Sequence, residues 1–491
     1  MRVDARFKLS RCCRMFPSPI IKDTGGGLVR KVGYTHIPVP PGLPMLTSKR
    51  TRRIQRKADW YSSKVRVHFD RPLSREDAER LVTDPAAIVQ HAFLPLISFQ
   101  KKERRYRRRQ GDAKPVASTK VRELAYPSNH DGYVFGFYAE RLGILYEAEL
   151  RTRGLDKVVI GYRKGSSNIK LARDAFSEIQ TRGNCVALGL DIKGFFDNIS
   201  HVVLKHAWAS LLCGGPLPED HYKVFRALAV AGKVDRGELL RRLDFPANAR
   251  DRELPRPLCS IIQFHDLRSG NCGSAKLVTR HVADKGIPQG TPLSAMAANM
   301  SMLEFDTAVH GVVSAAGGSY RRYSDDILVL CPPEHLTDLE AAIGQALTIH
   351  TKTLSFNGDK REEVRFALPG PNLVPCPPAT VAKPLQYLGF TFDGRRAFVR
   401  SGTLSRYYRR MASSVRVARA RAWLAKDGKL KGRDVVHKRE VLASHSHLGP
   451  RSFVSSYAKI SADTMGPSGA SIRRQLSRHL DVLNRRLDGK S

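Results

Sequence analysis

Apolar positions along this chain follow two periods. Val186-Ala187-Leu188-Gly189-Leu190 is a nearly continuous apolar run of strand length ending at Asp191, the pattern of a strand covered on both faces. A second run, Ile327-Leu328-Val329-Leu330, follows Tyr320-Arg321-Arg322 and the four residues Tyr323-Ser324-Asp325-Asp326, which predicts a hairpin with two carboxylates at its tip. Tyr133, Phe137, Tyr138, Leu142 and Leu145 recur at helical spacing, as a core face. Near the C-terminus, Ile472, Leu476, Leu480, Leu483 and Leu487 form one apolar stripe among Arg473, Arg474, Arg478, Arg485 and Arg486. Between the two strand runs, Gly286-Ile287-Pro288-Gln289-Gly290-Thr291-Pro292-Leu293-Ser294 predicts a loop feeding a helix of small side chains, where backbone can approach a ligand closely. Helical pieces around Asp84-Pro85 lead into an Arg-rich loop at 101–115, and His201 to Lys285 reads as a helical insertion. Residues 1–60, basic and rich in Gly and Pro, read as an arm preceding a compact core that begins near Trp60.

Carboxylates decide the chemistry. Adjacent aspartates on a tight turn are often just a solvated turn. A further aspartate at the end of a buried strand is different, because an ionised carboxylate is seldom placed there unless paired or metal-bound. Asp191 lies 134 residues before Asp325, and with Asp325 and Asp326 it makes a candidate oxygen-donor set for hard divalent cations.

The three blocks, in this order, resemble the palm motifs of reverse transcriptases. Leu385-Gln386-Tyr387-Leu388-Gly389-Phe390 resembles the family's primer-grip hairpin, and Leu354-Ser355-Phe356-Asn357-Gly358-Asp359-Lys360 the segment before it. Lys120-Val121-Arg122-Glu123-Leu124 resembles a fingers strand, and Gly161-Tyr162-Arg163-Lys164-Gly165-Ser166 a neighbouring loop. The match covers roughly residues 90 to 400, with seven blocks in one order. It implies an α/β (α+β) right-hand polymerase: fingers at 61–185, a palm at 186–398 whose antiparallel sheet carries the carboxylates, an insertion at about 201–285, and a basic helical thumb at 399–491. It further implies two Mg2+ ions, with Mn2+ as a substitute, held by Asp191, Asp325, Asp326 and the Ile192 carbonyl. Lys120, Arg122, Phe196, Gln289 and Lys360 would contact the incoming dNTP, Phe196 as an aromatic gate against the ribose 2′ hydroxyl. Gly290, Tyr387, Leu388, Gly389, Arg406, Arg409 and Arg410 would contact template and primer.

Net charge agrees with a polyanionic partner. There are 83 Lys plus Arg against 46 Asp plus Glu, a balance of +37 over 491 residues, which costs stability unless neutralised. Lys49 to Lys57 and Lys101 to Arg109 are basic clusters, and Gly394 to Lys426 carries no acidic residue, with Tyr407, Tyr408 and Trp423 interleaved as candidate stacking groups. Eight scattered cysteines lack a C-x-x-C pair, which argues against a zinc ribbon or disulfide framework. His445 and His447 lack ligand-spaced partners and read as hydrogen-bonding groups. No apolar run reaches the roughly 18 residues of a membrane span, so the expectation is a cytoplasmic protein.

Within reverse transcriptases, the shortness of the sequence after the thumb segment sets the expectation of a protein without RNase H or integrase domains, unlike a retroviral or transposon polyprotein. The Asn-Ala-x-x-His and Val-Thr-Gly signatures of retron enzymes are also missing; the nearest pieces are Asn248-Ala249-Arg250 and Val278-Thr279-Arg280. His91-Ala92-Phe93-Leu94-Pro95-Leu96-Ile97 with Ser128-Asn129-His130-Asp131-Gly132-Tyr133 resembles the front end of bacterial defence-associated reverse transcriptases, and Ser452-Phe453-Val454-Ser455-Ser456-Tyr457 their thumb. That resemblance implies antiphage defence with a non-coding RNA as template and a DNA product. The alternatives are an intron-type or domesticated reverse transcriptase, and a non-catalytic RNA-binding scaffold. These patterns leave the oligomeric state open.

Overall fold

The structure is a computed structural model that describes residues 60–62, 65–107, 116–163, 165, 167–212, 214–270, 276–368, 374–375, 383–424 and 438–489. All lie in one of the two units into which the chain divides, Ala58–Ser491; the other, Met1–Lys57, and with it the expected basic arm and the Lys49–Lys57 cluster, lies outside the described residues, as does Trp423's side chain.

Strand β3 (Cys185–Asp191) runs antiparallel between β7 (Asp326–Cys331) and β8 (Glu362–Ala367), in a sheet completed by β6 (Ser319–Tyr323) beyond β7 and β9 (Val374–Pro375) beyond β8. Its alternating side chains enter two different cores. Val186, Leu188 and Leu190 pack with Ile327 and Val329 against the helices Asn129–Thr152 and Leu303–Ala315, while Cys185 and Ala187 pack with Leu328 and Leu330 toward Phe366, Phe392 and the C-terminal helices. That double cover is why the run reads as continuously apolar.

The Asn129–Thr152 helix buries Tyr133, Tyr138 and Leu142, as its spacing predicts. Its start is fixed by polar bonds. Ser128 caps the Asp131 amide, Asp131 pairs with His91 at 2.7 Å and accepts from the Leu94 amide, and Asp70 accepts from the Asn129 and His130 amides. The segment expected to be an Arg-rich loop is instead strand through Arg107. β1 (Leu96–Arg107) and β2 (Val116–Tyr126) form a long hairpin in register from Ile97↔Tyr126 to Arg107↔Val116. Charged side chains from Lys101 to Arg107 hid the first strand, since that stretch read as polar throughout rather than alternating, whereas the second contains the Lys120–Leu124 segment already expected as a strand.

The insertion differs from expectation in a second way. Its helices His201–Leu211, Glu219–Ala229, Arg236–Arg242 and Ile261–Ser269 are present, but so are β4 (Gly232–Asp235) and β5 (Thr279–Arg280). β4 pairs in parallel with β1, giving the order β2-β1-β4-β5. The insertion is therefore part of the hairpin's sheet, around a core of Val67, Ile97, Val234, Leu239, Leu240, Leu254 and Leu258.

A third sheet joins β10 (Leu385–Tyr387), β11 (Phe390–Phe392) and β12 (Ala397–Val399), followed by the long helix Ser401–Leu424. The C-terminal apolar stripe spans two short helices, Ala470–Gln475 and His479–Leu487, burying Ile472, Leu476, Leu483 and Leu487 with Leu480 half-buried. The Gln475 amide both accepts from the Val399 amide at 2.9 Å and donates to its carbonyl at 3.1 Å, closing the edge of β12.

Candidate active site

Antiparallel pairing of β3 with β7 sets Asp191 directly opposite Asp326, and β6 with β7 sets Tyr323 opposite Asp326. Ser324 and Asp325 make the connecting turn, with Ser324 at φ 61°. The Ile192 amide donates to the Asp325 carbonyl at 3.0 Å, tying the turn to the end of β3. The chain beyond Asp191 is pinned as well: Lys193 donates to the Ser355 carbonyl and Asn357 to that of Asp191. The Ile192 carbonyl takes no part in these bonds.

The three carboxylates interact. Asp326 is solvent-accessible, yet its pKa is pushed up to about 6, first by desolvation among surrounding protein and then by Asp325 and Asp191, with Lys360 and Arg400 pulling the other way. Lys360 answers part of the negative charge. Its Nζ donates to Asp191 Oδ1 at 2.6 Å and also reaches Oδ2, with the carboxylate 13% and the lysine 33% exposed. Hard oxygen donors with excess negative charge fit a divalent cation chemically. Among the described residues, however, no three His, Cys, Asp or Glu side chains already form a metal cage. Both oxygens of Asp191 are turned to Lys360 instead. Lys360, expected on the nucleotide's phosphates, thus stands on the carboxylate.

Phe196 opens the short turn Phe196–Asn198 five residues after Asp191, half-buried, with its ring edge-on to buried Phe195 at 5.5 Å. The Gly286–Gly290 loop lies across this turn. Gly286 and Ile287 donate to the carbonyls of Ile199 and Phe196, and a Cβ on Gly286 would sit 2.8 Å from the Asp197 carbonyl. At its other end the Gln289 carbonyl accepts from Ala125 of β2 at 2.8 Å, and a Cβ on Gly290 would sit 2.7 Å from the Ala125 carbonyl. The close neighbours of these glycines are the chain's own backbone, the Asp197 carbonyl at Gly286 and the Ala125 carbonyl of β2 at Gly290.

On that hairpin Lys120 is opposite Glu103, and Arg122 lies on the same face. Arg122 pairs with Glu103 at 3.1 Å, and Glu103 also accepts from Arg406 of the Ser401–Leu424 helix at 3.0 Å. One acidic side chain, not singled out by the sequence pattern, therefore joins a cation expected on the nucleotide to one expected on the duplex. Arg409 and Arg410 are exposed on the same helix.

Two aromatic expectations are corrected. Tyr387 does not present its side chain to a primer, because alternation along the short β10 turns it into the core, where its hydroxyl is buried without a partner. Only Leu388 and Gly389 at the hairpin tip remain partly accessible, and Asn168 holds the tip by donating to the Leu388 carbonyl at 3.1 Å. Tyr407 is likewise no stacking platform. It is buried against Phe453 and its hydroxyl donates to the His445 carbonyl at 2.6 Å. His445 and His447 are hydrogen-bonded, to Ser414 and His479.

No protein-family model and no curated protein matches the chain. Among solved structures it is similar to an apo telomerase from Candida tropicalis truncated from its C-terminal domain, at 10% identity and a TM-score of 0.37 over 66% of this chain. It is also similar to a telomerase from Candida albicans in complex with a fragment of telomeric RNA, at 13% identity and a TM-score of 0.36 over 84% of this chain. The chain spans 59% of the length of each. Among the described residues no helix is long and apolar enough to cross a membrane.

Proposed function

We propose that this chain is an RNA-directed DNA polymerase that copies a bound non-coding RNA into DNA, in bacterial antiphage defence. The observation that carries the polymerase reading is the register that sets Asp191 beside Asp326, with Asp325 on the adjoining turn, from segments more than a hundred residues apart. Divalent cations bound by these carboxylates would make the primer 3′ hydroxyl a better nucleophile and offset charge on the leaving pyrophosphate. The remaining work falls to the chain's own groups. Lys120 and Arg122 project from one hairpin face, where they neutralise triphosphate, and Lys360 moves from Asp191 to phosphate. Phe196 stands under the sugar and favours dNTP over rNTP. Arg406, Arg409 and Arg410 line a helix that follows duplex backbone. In this reading the β1–β2 hairpin and its sheet serve as fingers, the β6-β7-β3-β8-β9 sheet as palm and the C-terminal helices as thumb.

The defence role and the non-coding RNA rest on sequence resemblance at Ser128 to Tyr133 and Ser452 to Tyr457. A second reading, a non-catalytic RNA-binding scaffold, is favoured by one observation: Lys360 already neutralises Asp191. One experiment separates the two. RNA and DNA co-purifying from phage-challenged cells are sequenced for wild type and Asp325→Ala, alongside primer extension on a poly(rA) template with dTTP. The polymerase reading expects complementary DNA and extension from wild type, both reduced by about a thousandfold or more in the variant. Equal RNA recovery from both proteins with no DNA and no extension would replace it with the scaffold.

A further inference from the structure

The Asp325–Asp326 turn is backed by side chains that are not themselves among the candidate ligands. Arg322 and Asp306 are both fully buried. Arg322 Nε and Nη2 donate to Asp306 at 2.7 and 2.6 Å, and the Tyr320 hydroxyl donates to Asp306 Oδ1 at 2.7 Å. One guanidinium nitrogen remains. Arg322 Nη1 donates to the Ser324 carbonyl at 3.1 Å and to Asn299 Oδ1 at 3.3 Å. Asn299 in turn donates to the Gly161 carbonyl at 3.0 Å, and its own carbonyl accepts from the Tyr146 hydroxyl at 3.2 Å.

A buried ion pair is a weak device for stability, because an apolar pair of similar volume commonly serves as well. An apolar pair could not donate to Ser324. That residue sits at φ 61°, a left-handed conformation that a side chain other than glycine adopts only at a cost and keeps only where its surroundings dictate it. Two features dictate it here. Arg322 holds the Ser324 carbonyl, and Gly161 packs so tightly that a Cβ there would lie 2.7 Å from the Ser324 amide nitrogen.

We propose that Arg322, oriented by Asp306 and Asn299, is a positioning residue that sets the direction in which Asp325 and Asp326 leave the hairpin. Its kinetic consequence rests on the polymerase reading; its structural consequence does not.

The test is the paired substitution Arg322→Met with Asp306→Leu, compared with Asp306→Asn alone. The single variant leaves a buried unpaired charge and should lower Tm by roughly 5 °C or more, and the pair should recover most of that loss. A crystal structure of the pair should show Ser324 leaving the positive-φ region. Primer extension should lose about 100-fold in kcat with KM for dNTP changed less than about twofold, the signature of misplaced groups rather than lost binding. If the pair keeps Ser324 in place, or restores kcat together with Tm, Arg322 is a packing element only and the proposal falls. Should the pair fail to fold, Arg322→Lys carries the same readouts, since an ammonium cannot serve Asp306 and Ser324 together. An inactive wild type would remove the polymerase reading, and the crystal structure would still decide the role of Arg322.

Discussion

A carboxyl whose pKa has risen to about 6 keeps its proton after an unfolded aspartic acid has lost it. Asp326 therefore costs the folded state nothing below pH 4. The cost appears as pH rises from about 4 and is complete above about 6. Asp326→Asn should consequently match wild type in Tm at pH 4 and exceed it at pH 8, in chelator, by about 1–2 °C once solvent screening is allowed for. Added Mg2+ should stabilise wild type at pH 8 and leave the variant nearly unmoved. A Tm difference independent of pH would mean that the three carboxylates do not repel one another. Phe196→Ala tests a different atom set. It should raise rNTP incorporation relative to dNTP by about tenfold or more, read as a ratio of kcat/KM values, whereas unchanged sugar discrimination would leave Phe196 a packing residue beside Phe195.

Among the elements, legibility followed the clarity of the period. β3 and β7 were readable because both faces are buried, and Asp191 stood out as a charge ending an apolar run. Tyr387 was expected at the primer through resemblance alone, and its burial was not readable because a three-residue strand has too few positions to declare which face is buried. The Arg322–Asp306 pair was missed although signals existed. Alternation along β6 puts Arg322 on the face of buried Tyr320, and helical spacing puts Asp306 on the stripe of Leu303, Val309 and Val313. A cation and an anion, each on a buried face, are a readable pair once both faces are known. Glu103 carried no such signal, because its role is set by tertiary proximity to Arg406. The Ser401–Leu424 helix yields its own expectation: replacing Arg406, Arg409 and Arg410 by Gln should weaken RNA binding and flatten its log–log salt slope by about 1 per lost phosphate contact. An unaltered slope in salt-titrated binding would put the nucleic-acid track elsewhere.

At the scale of the molecule, the insertion is structural to the sheet it joins. Removing residues 232–280 should yield insoluble protein, because it uncovers the edge of β1 and bares Val67 and Ile97, whose apolar partners Val234, Leu239 and Leu258 are deleted with it. Soluble yield and light scattering measure this, and a soluble monodisperse deletion would show that β4 and β5 are dispensable.

The parallel partnership of β1 with β4 also has a consequence in time. Leu96 leaves the ribosome 137 residues before its partner Lys233. At about 5–20 residues per second, the β1 edge waits roughly 7 to 27 s for its neighbour. Its mate β2 arrives early, so a hairpin with one unpaired edge is the species a nascent chain presents meanwhile. Slowing translation within 127–232 would lengthen that exposure, whereas slowing it beyond β5 would not. Synonymous codon choice in that interval thus becomes a determinant of how much of this protein reaches its native state.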